Sequence, residues 1–199
     1  LEREPEVNIY RICAAALLTL SAVQLTGCST IIGATTDKPI EQERTSRSFG
    51  SAIDDQVIET TTLVNVRKSH AALENAHLVV ESYNGVLLLA GQVPSEEARQ
   101  IAAQTAARVQ NVKRVHNELT VGPNTELLVR TSDTGITTKV KSKLLTHREV
   151  SGRKIKVVTE NGVVYLFGLV TRQEADLASV LAQQTGGVQR VVRLFEYID

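Results

Sequence analysis

The 199-residue sequence has no Trp and no Met, two Cys, four Pro and four His, and aromatic residues make up 4% of it. Each shortage closes off a class of explanation. Cys13 and Cys28 both fall within the first thirty residues, so the rest of the chain can hold no intrachain disulfide and no thiolate zinc site. His70, His77, His116 and His147 are scattered without the short spacing of metal ligands, so neither a metal nor a cofactor is expected. After Cys28 there is no Ser-His-Asp set, no phosphate-cradling glycine loop and no ligand cluster. The acidic pairs Asp54-Asp55 and Glu96-Glu97 read as helix starts, where carboxylates meet the positive helix end, rather than as paired catalytic acids. The expectation is a binding protein, not an enzyme. Nucleic acid is discounted as its ligand, because no base-stacking aromatics stand beside a basic patch.

What is present is ordinary in bulk and uneven in order. Hydrophobic residues make up 42% of the chain and the formal net charge is zero, the composition of a globular protein long enough for one ordinary domain or two small ones. From Ile12 to Leu25, after Arg11, runs an apolar stretch. It is too short to span a bilayer, which takes about 20 such residues, but it suits the h-region of a signal peptide. It ends in Leu25-Thr26-Gly27-Cys28, which resembles the lipobox of bacterial lipoproteins, where small residues let the peptidase reach a cysteine whose thiol takes lipid. Glu2, Glu4 and Glu6 sit where such leaders are basic; with no Met in the chain, a misassigned start explains them. The reading is a signal peptide over 1–27, lipidation at Cys28 with palmitate among the acyl chains, and a tether over 28–53 rich in Ser, Thr, Gly and charge. Ser29 stands where Asp favours inner-membrane retention, so the expected location is the periplasmic face of the outer membrane.

Beyond the tether the chain repeats itself. Asn84-Gly85-Val86-Leu87-Leu88-Leu89-Ala90-Gly91-Gln92-Val93 aligns with Asn161-Gly162-Val163-Val164-Tyr165-Leu166-Phe167-Gly168-Leu169-Val170, seventy-seven residues later. Both read G-x-[V/L]-x-L-x-G-x-V. Asn-Gly supplies the positive φ angles of a type I′ turn, so each copy predicts a β-hairpin, with Leu78 and Val80, or Ile155 and Val157, alternating on its first strand. Gly91 and Gly168 are expected either to let a packed helix approach the sheet or to mark a bulge. Thr171-Arg172-Gln173-Glu174 is a capping box for a helix running to about Gln184, and Ser95 starts its counterpart. Ala102, Ala106 and Val109, with Leu177, Val180 and Leu181, give these helices an apolar side. A third strand closes each copy over 112–121 and 188–198, and a helix precedes each hairpin, at about 54–73 and 136–145. The fold class is α+β: domains over 54–121 and 135–199, each α-β-β-α-β with a three-stranded mixed sheet, joined by a linker over 122–134.

This paired signature, followed in each copy by a helix and a V-x-x-V strand, resembles the BON domain. Two such domains behind a lipobox are similar to the dual-BON lipoproteins of Gram-negative bacteria, a family of outer-membrane, division-associated phospholipid-binding proteins. The resemblance covers most of residues 28–199. It implies a non-enzymatic protein that binds anionic phospholipid through its second domain and supports envelope integrity. The membrane-facing element it implies is the first helix of that domain, Ile136-Thr137-Thr138-Lys139-Val140-Lys141-Ser142-Lys143-Leu144-Leu145. Relatives carry an interfacial Trp just before this helix, where this chain has Gly135.

Charge supplies a separate line of argument. Residues 54–121 hold six Lys or Arg against eight Asp or Glu, whereas residues 136–199 hold ten against six. Lys139, Lys141 and Lys143 are uncompensated, while Ile136, Val140 and Leu144 share one helix face. The expected phospholipid-binding set is Ile136, Lys139, Val140, Lys141 and Lys143. The apolar residues are expected mainly to pack on the sheet, leaving the lysines and the Ile136 end as the contact. Gly85, Gly91, Gly162 and Gly168 are expected to be structural. Two alternatives remain open: a hemolysin-like, membrane-damaging factor, and a protein-interaction module whose Gly91 and Gly168 sheets dock an envelope-assembly partner.

Overall fold

In the computed structural model, the described residues are 48–123 and 127–199. Cys28, the apolar stretch before it and most of the expected tether lie outside them. The elements are α1 (Phe49–Ser69), a 3-10 turn at Ala71–Leu73, β1 (His77–Tyr83), β2 (Val86–Val93), α2 (Glu96–Ala107) and β3 (Arg114–Val121). The second copy repeats them as α3 (Leu127–Thr146), a 3-10 turn at Gly152–Lys154, β4 (Ile155–Glu160), β5 (Val163–Val170), α4 (Arg172–Gln183) and β6 (Arg190–Tyr197). In each sheet the middle strand pairs antiparallel with the first and parallel with the third. The order is therefore α-β-β-α-β twice, with mixed three-stranded sheets.

Local chemistry accounts for most boundaries. Asn84 and Gly85 take φ of 53° and 81°, Asn161 and Gly162 of 51° and 74°, the two left-handed residues that a tight hairpin turn needs. Ser48 caps α1 by accepting from the Ser51 amide at 3.1 Å, and Ser95 caps α2 by accepting from Ala98. Thr171 and Glu174 form the capping box of α4, each side chain accepting from the other's backbone N–H. The helices α1 and α3 begin earlier than their apolar periodicity suggests. Ser48 caps the earlier start of α1, and the added turns of α3 carry Asp133, a polar residue in a Thr-Ser-Asp-Thr-Gly run.

The sheets are buried on both sides. Leu87, Leu89 and Val93 of β2 pack under α1 and α2 with Ala98, Ala102 and Ala106, whose short side chains let α2 lie close to the sheet. Ala175, Ala178 and Ala182 do the same for α4 over Val164, Leu166 and Val170. Leu177 and Leu181 are half-buried against this cluster and Val180 is exposed, so alanines form the fully buried face of α4 and the leucines its margin. The opposite faces of β2 and β5 meet one another: Tyr83, Val86, Leu88 and Ala90 pack against Tyr165, Phe167 and Leu194. The result is four layers, helices on the outside and two sheets within, and both repeats belong to one compact unit. A polar rim closes the seam. Lys156 of β4 pairs with Glu59 at 3.0 Å and Glu81 at 2.6 Å, and Gln92 donates to Glu160, which also lies 3.3 Å from His77 Nε2. Arg190 reaches Glu118 at 2.8 Å. Burial alone pulls the Lys156 ammonium down, but hydrogen bonds and charge from Glu81 and Glu59 outweigh it and hold its pKa above the ordinary lysine value.

The glycine signature has a different cause from the one its position suggests. A Cβ on Gly91 would lie 2.0 Å from the His77 carbonyl oxygen, and one on Gly168 would lie 2.8 Å from that of Lys154. The crowding comes from the neighbouring edge strand at Gly91 and from the 3-10 turn leading into the edge strand at Gly168, not from a packed α-helix, and the β1–β2 register runs through Gly91 without a bulge.

One internal comparison yields a prediction. Thr62 of α1 is fully buried and its hydroxyl has no hydrogen-bond partner among the described residues. Seven residues after the equivalent aspartates Asp55 and Asp133 stand Thr62 and Val140 respectively, and Val140 is fully buried. Replacing the unpaired hydroxyl by a methyl, Thr62→Val, is expected to stabilise the protein by about 1 kcal/mol, read as a higher urea midpoint at unchanged slope.

Candidate functional site

The orientation of α3 is fixed from below by one carboxylate. Asp133 is 5% exposed and accepts from the Asn161 and Gly162 amides at 2.7 and 2.8 Å. It thereby satisfies the turn's buried donors, which a left-handed Asn-Gly pair leaves without a strand partner. The same device holds α1: Asp55 accepts from the Asn84 and Gly85 amides and from the Ser82 hydroxyl. Neither aspartate starts its helix; each bolts the helix to the hairpin of its own repeat. The signal was present as a second repeat, with acids seventy-eight residues apart, one residue out of step with the hairpins.

With Asp133 inward, the face of α3 is determined. Ile136, Val140 and Leu144 are 4%, 0% and 1% exposed and belong to the core. Ile136 is not an exposed helix end: its side chain lies over Gly187, whose missing Cβ makes room for it. Ile136 and Val140 are therefore not at the surface, and of the expected binding set only the lysines remain there. Lys139 and Lys141 are exposed and have no acidic partner among the described residues. Lys143 is half-buried, and its Nζ donates to the Gln184 carbonyl at 2.9 Å, tying α3 to the end of α4. Two further features escape a reading by periodicity. Leu145 is 57% exposed at the end of the same helix, and Arg148 and Arg153 extend the positive charge just beyond it. At Gly135 a side chain would meet nothing within 4 Å, so this position opens to solvent on the helix. Gly85 and Gly162 occupy the hairpin turns, and Gly91 and Gly168 the crowded strand positions already described.

The arrangement offers charge and a little apolar surface rather than a reaction centre. Among the described residues no group of three or more His, Cys, Asp or Glu is placed to hold a metal, and no helix is long and apolar enough to cross a membrane. The fold and this surface define a class: two fused copies of one small α+β unit, presenting a basic helix from the second. The BON domain matches residues 54–123 and 132–199. Outer membrane lipoprotein DolP of Haemophilus influenzae is 35% identical over 187 residues, covering 92% of this chain and 95% of its own. The 21 kDa hemolysin of Actinobacillus pleuropneumoniae is 37% identical over 153 residues, covering 77% and 79%. Osmotically-inducible protein Y of Escherichia coli is 32% identical over 145 residues, covering 71% and 72%. The chain belongs to the BON-domain family, and within it to the two-domain proteins that include DolP.

Proposed function

We propose that this protein is an outer-membrane lipoprotein, anchored through Cys28 and facing the periplasm, that binds anionic phospholipid through α3 and supports envelope integrity without catalysing a reaction. The observation that carries the lipid site is the exposure of Lys139 and Lys141, without acidic partners among the described residues, on a helix whose apolar face is spent on the core. Each basic residue near an anionic surface contributes about 1 kcal/mol, so two lysines with Leu145 at the helix end give weak, salt-sensitive contact. Weak contact is sufficient for a chain whose acyl anchor already holds it at high effective concentration. Kinship with DolP supports the compartment and the anchor.

The test uses two preparations. Membrane-extracted protein is expected to begin at an acylated Cys28 by intact mass. The full chain with Cys28→Ser is expected to bind phosphatidylglycerol-containing vesicles, not pure phosphatidylcholine ones, and to lose at least tenfold in affinity on Lys139→Glu with Lys141→Glu. Unchanged affinity sinks the site. A second reading, membrane damage, has the name of the Actinobacillus relative in its favour; release of trapped dye by the purified protein would select it. The sheet-docking alternative meets an obstacle, since both faces of β2 and β5 are already covered.

A further inference from the structure

The two repeats differ at the place where the first and second helices of each converge. In the second repeat Lys143 closes that gap by donating to Gln184 of the α4 end. Counting from the paired aspartates and helix caps, the equivalent positions in the first repeat are Asn65 on α1 and Arg108 beside α2. There the gap is open: a pocket of about 310 Å³ lined by Asn65, Lys68, Ser69, Thr105 and Arg108. Its lining holds two cations and no acid, and among the described residues neither Lys68 nor Arg108 has a carboxylate partner, unlike Arg99, Arg172, Arg190 and Arg193, which are all paired. Asn65 and Thr105 add neutral donors to the lining, while Ser69 donates to the Val66 carbonyl at 2.7 Å, and two cations with neutral donors suit a cluster of phosphate oxygens.

The pocket does not stand alone. Running into it along α1 is a stripe of solvent-exposed apolar residues, Ile53, Val57 and Val64, which are 51%, 59% and 43% exposed. At helical spacing these three share a face with Thr60 and Lys68. Apolar stripe and carboxylate-free basic pocket together make a surface with an acyl-chain side and a head-group end. Only twenty residues lie between Cys28 and the start of α1, so the chain keeps α1 within about 75 Å of the anchor even at full extension.

We infer that this pocket and stripe form a second lipid contact, on the first domain, in which Lys68 and Arg108 take the phosphate of an anionic phospholipid head group and Val57 and Val64 lie against the bilayer. The inference takes its membrane from the anchor reading above but uses none of the α3 residues. The layers of helices lie on opposite sides of the paired sheets, so the two sites act separately.

The experiment isolates each site in the full chain carrying Cys28→Ser. With Lys139→Gln and Lys141→Gln removing the α3 contact, residual binding to phosphatidylglycerol vesicles is expected, and adding Lys68→Gln with Arg108→Gln is expected to lower it about twenty- to thirtyfold. All four are solvent-facing residues, and circular dichroism checks that the variants stay folded. No residual binding in the first variant, or residual binding that the second pair leaves unchanged, overturns the inference. If instead the α3 pair has no effect and the Lys68 pair does, the α3 assignment fails and this one stands. Inorganic phosphate is the competing probe: saturation of the pocket by phosphate alone, as tightly as by vesicles, would make its ligand a soluble anion and overturn the bilayer assignment.

Discussion

Gly91→Ala is expected to destabilise the protein by about 3–5 kcal/mol, enough to unfold the first domain at moderate temperature. Two independent costs add. The residue sits at φ +111°, and its new methyl would lie 2.0 Å from the His77 carbonyl oxygen and 2.9 Å from the His77 carbonyl carbon. Both are backbone atoms, so no side chain can swing aside. For β1 to retreat it must abandon the pairing of Leu78 with Gly91 and the contacts that hold it at the seam, His77 with Glu160 and Glu81 with Lys156. Gly168→Ala serves as the internal control. Its Cβ would meet the Lys154 oxygen at the longer distance of 2.8 Å, just before the β4 ladder begins, and its φ lies outside the left-handed region. About 1–3 kcal/mol is expected there. Urea denaturation of both variants reads the difference; equal losses at the two glycines would show that edge-strand crowding is not the cause.

The signature glycines were visible as a repeat, but the reason for them was not, and the contrast shows what a sequence carries. Features whose partners lie within a few residues are legible. Asn84-Gly85, Asn161-Gly162, the Ser95 cap and the Thr171–Glu174 box each encode their own geometry, and all four occur where the local chemistry puts them. Features whose partners are remote are not. Whether a glycine yields to a helix or to the next strand depends on which atom lies 2–3 Å away in space.

The seam between the domains illustrates the same limit with a signal that was partly readable. A half-exposed strand alternates, yet β2 is buried at every position and β5 at all but two. Near-continuous apolar runs such as Val86–Ala90 and Val163–Phe167 belong to strands covered on both faces. Alternation in Leu87, Leu89 and Val93 correctly gives the helix-facing side and draws attention away from Leu88 and Ala90, which face the other domain. The candidate site divides similarly. Charge imbalance locates the second domain's basic helix, but the roll of that helix, which buries Ile136 and frees Leu145, is set by a carboxylate reaching a turn twenty-eight residues away.

That carboxylate links fold to function most directly. Asp133→Ala removes two charge-assisted hydrogen bonds and strands the Asn161 and Gly162 amides, the second of them buried, so about 3–5 kcal/mol is expected from the uncompensated donors. Asp133→Asn, whose amide oxygen can accept from one of the two, should lose roughly half of that. Asp55→Ala makes the same excision in the first repeat, where Ser82, Asn84 and Gly85 lose their acceptor, and should cost a similar amount. The two differ in what they release. Loss of Asp133 frees the helix that carries Lys139 and Lys141, so binding to phosphatidylglycerol vesicles should fall with stability, whereas loss of Asp55 leaves α3 bolted in place. Measured below the unfolding transition of both variants, a fall in lipid affinity confined to Asp133→Ala ties the lipid contact to the seating of α3. An equal fall in both would mean that affinity tracks global stability, and that α3 has no special part in it.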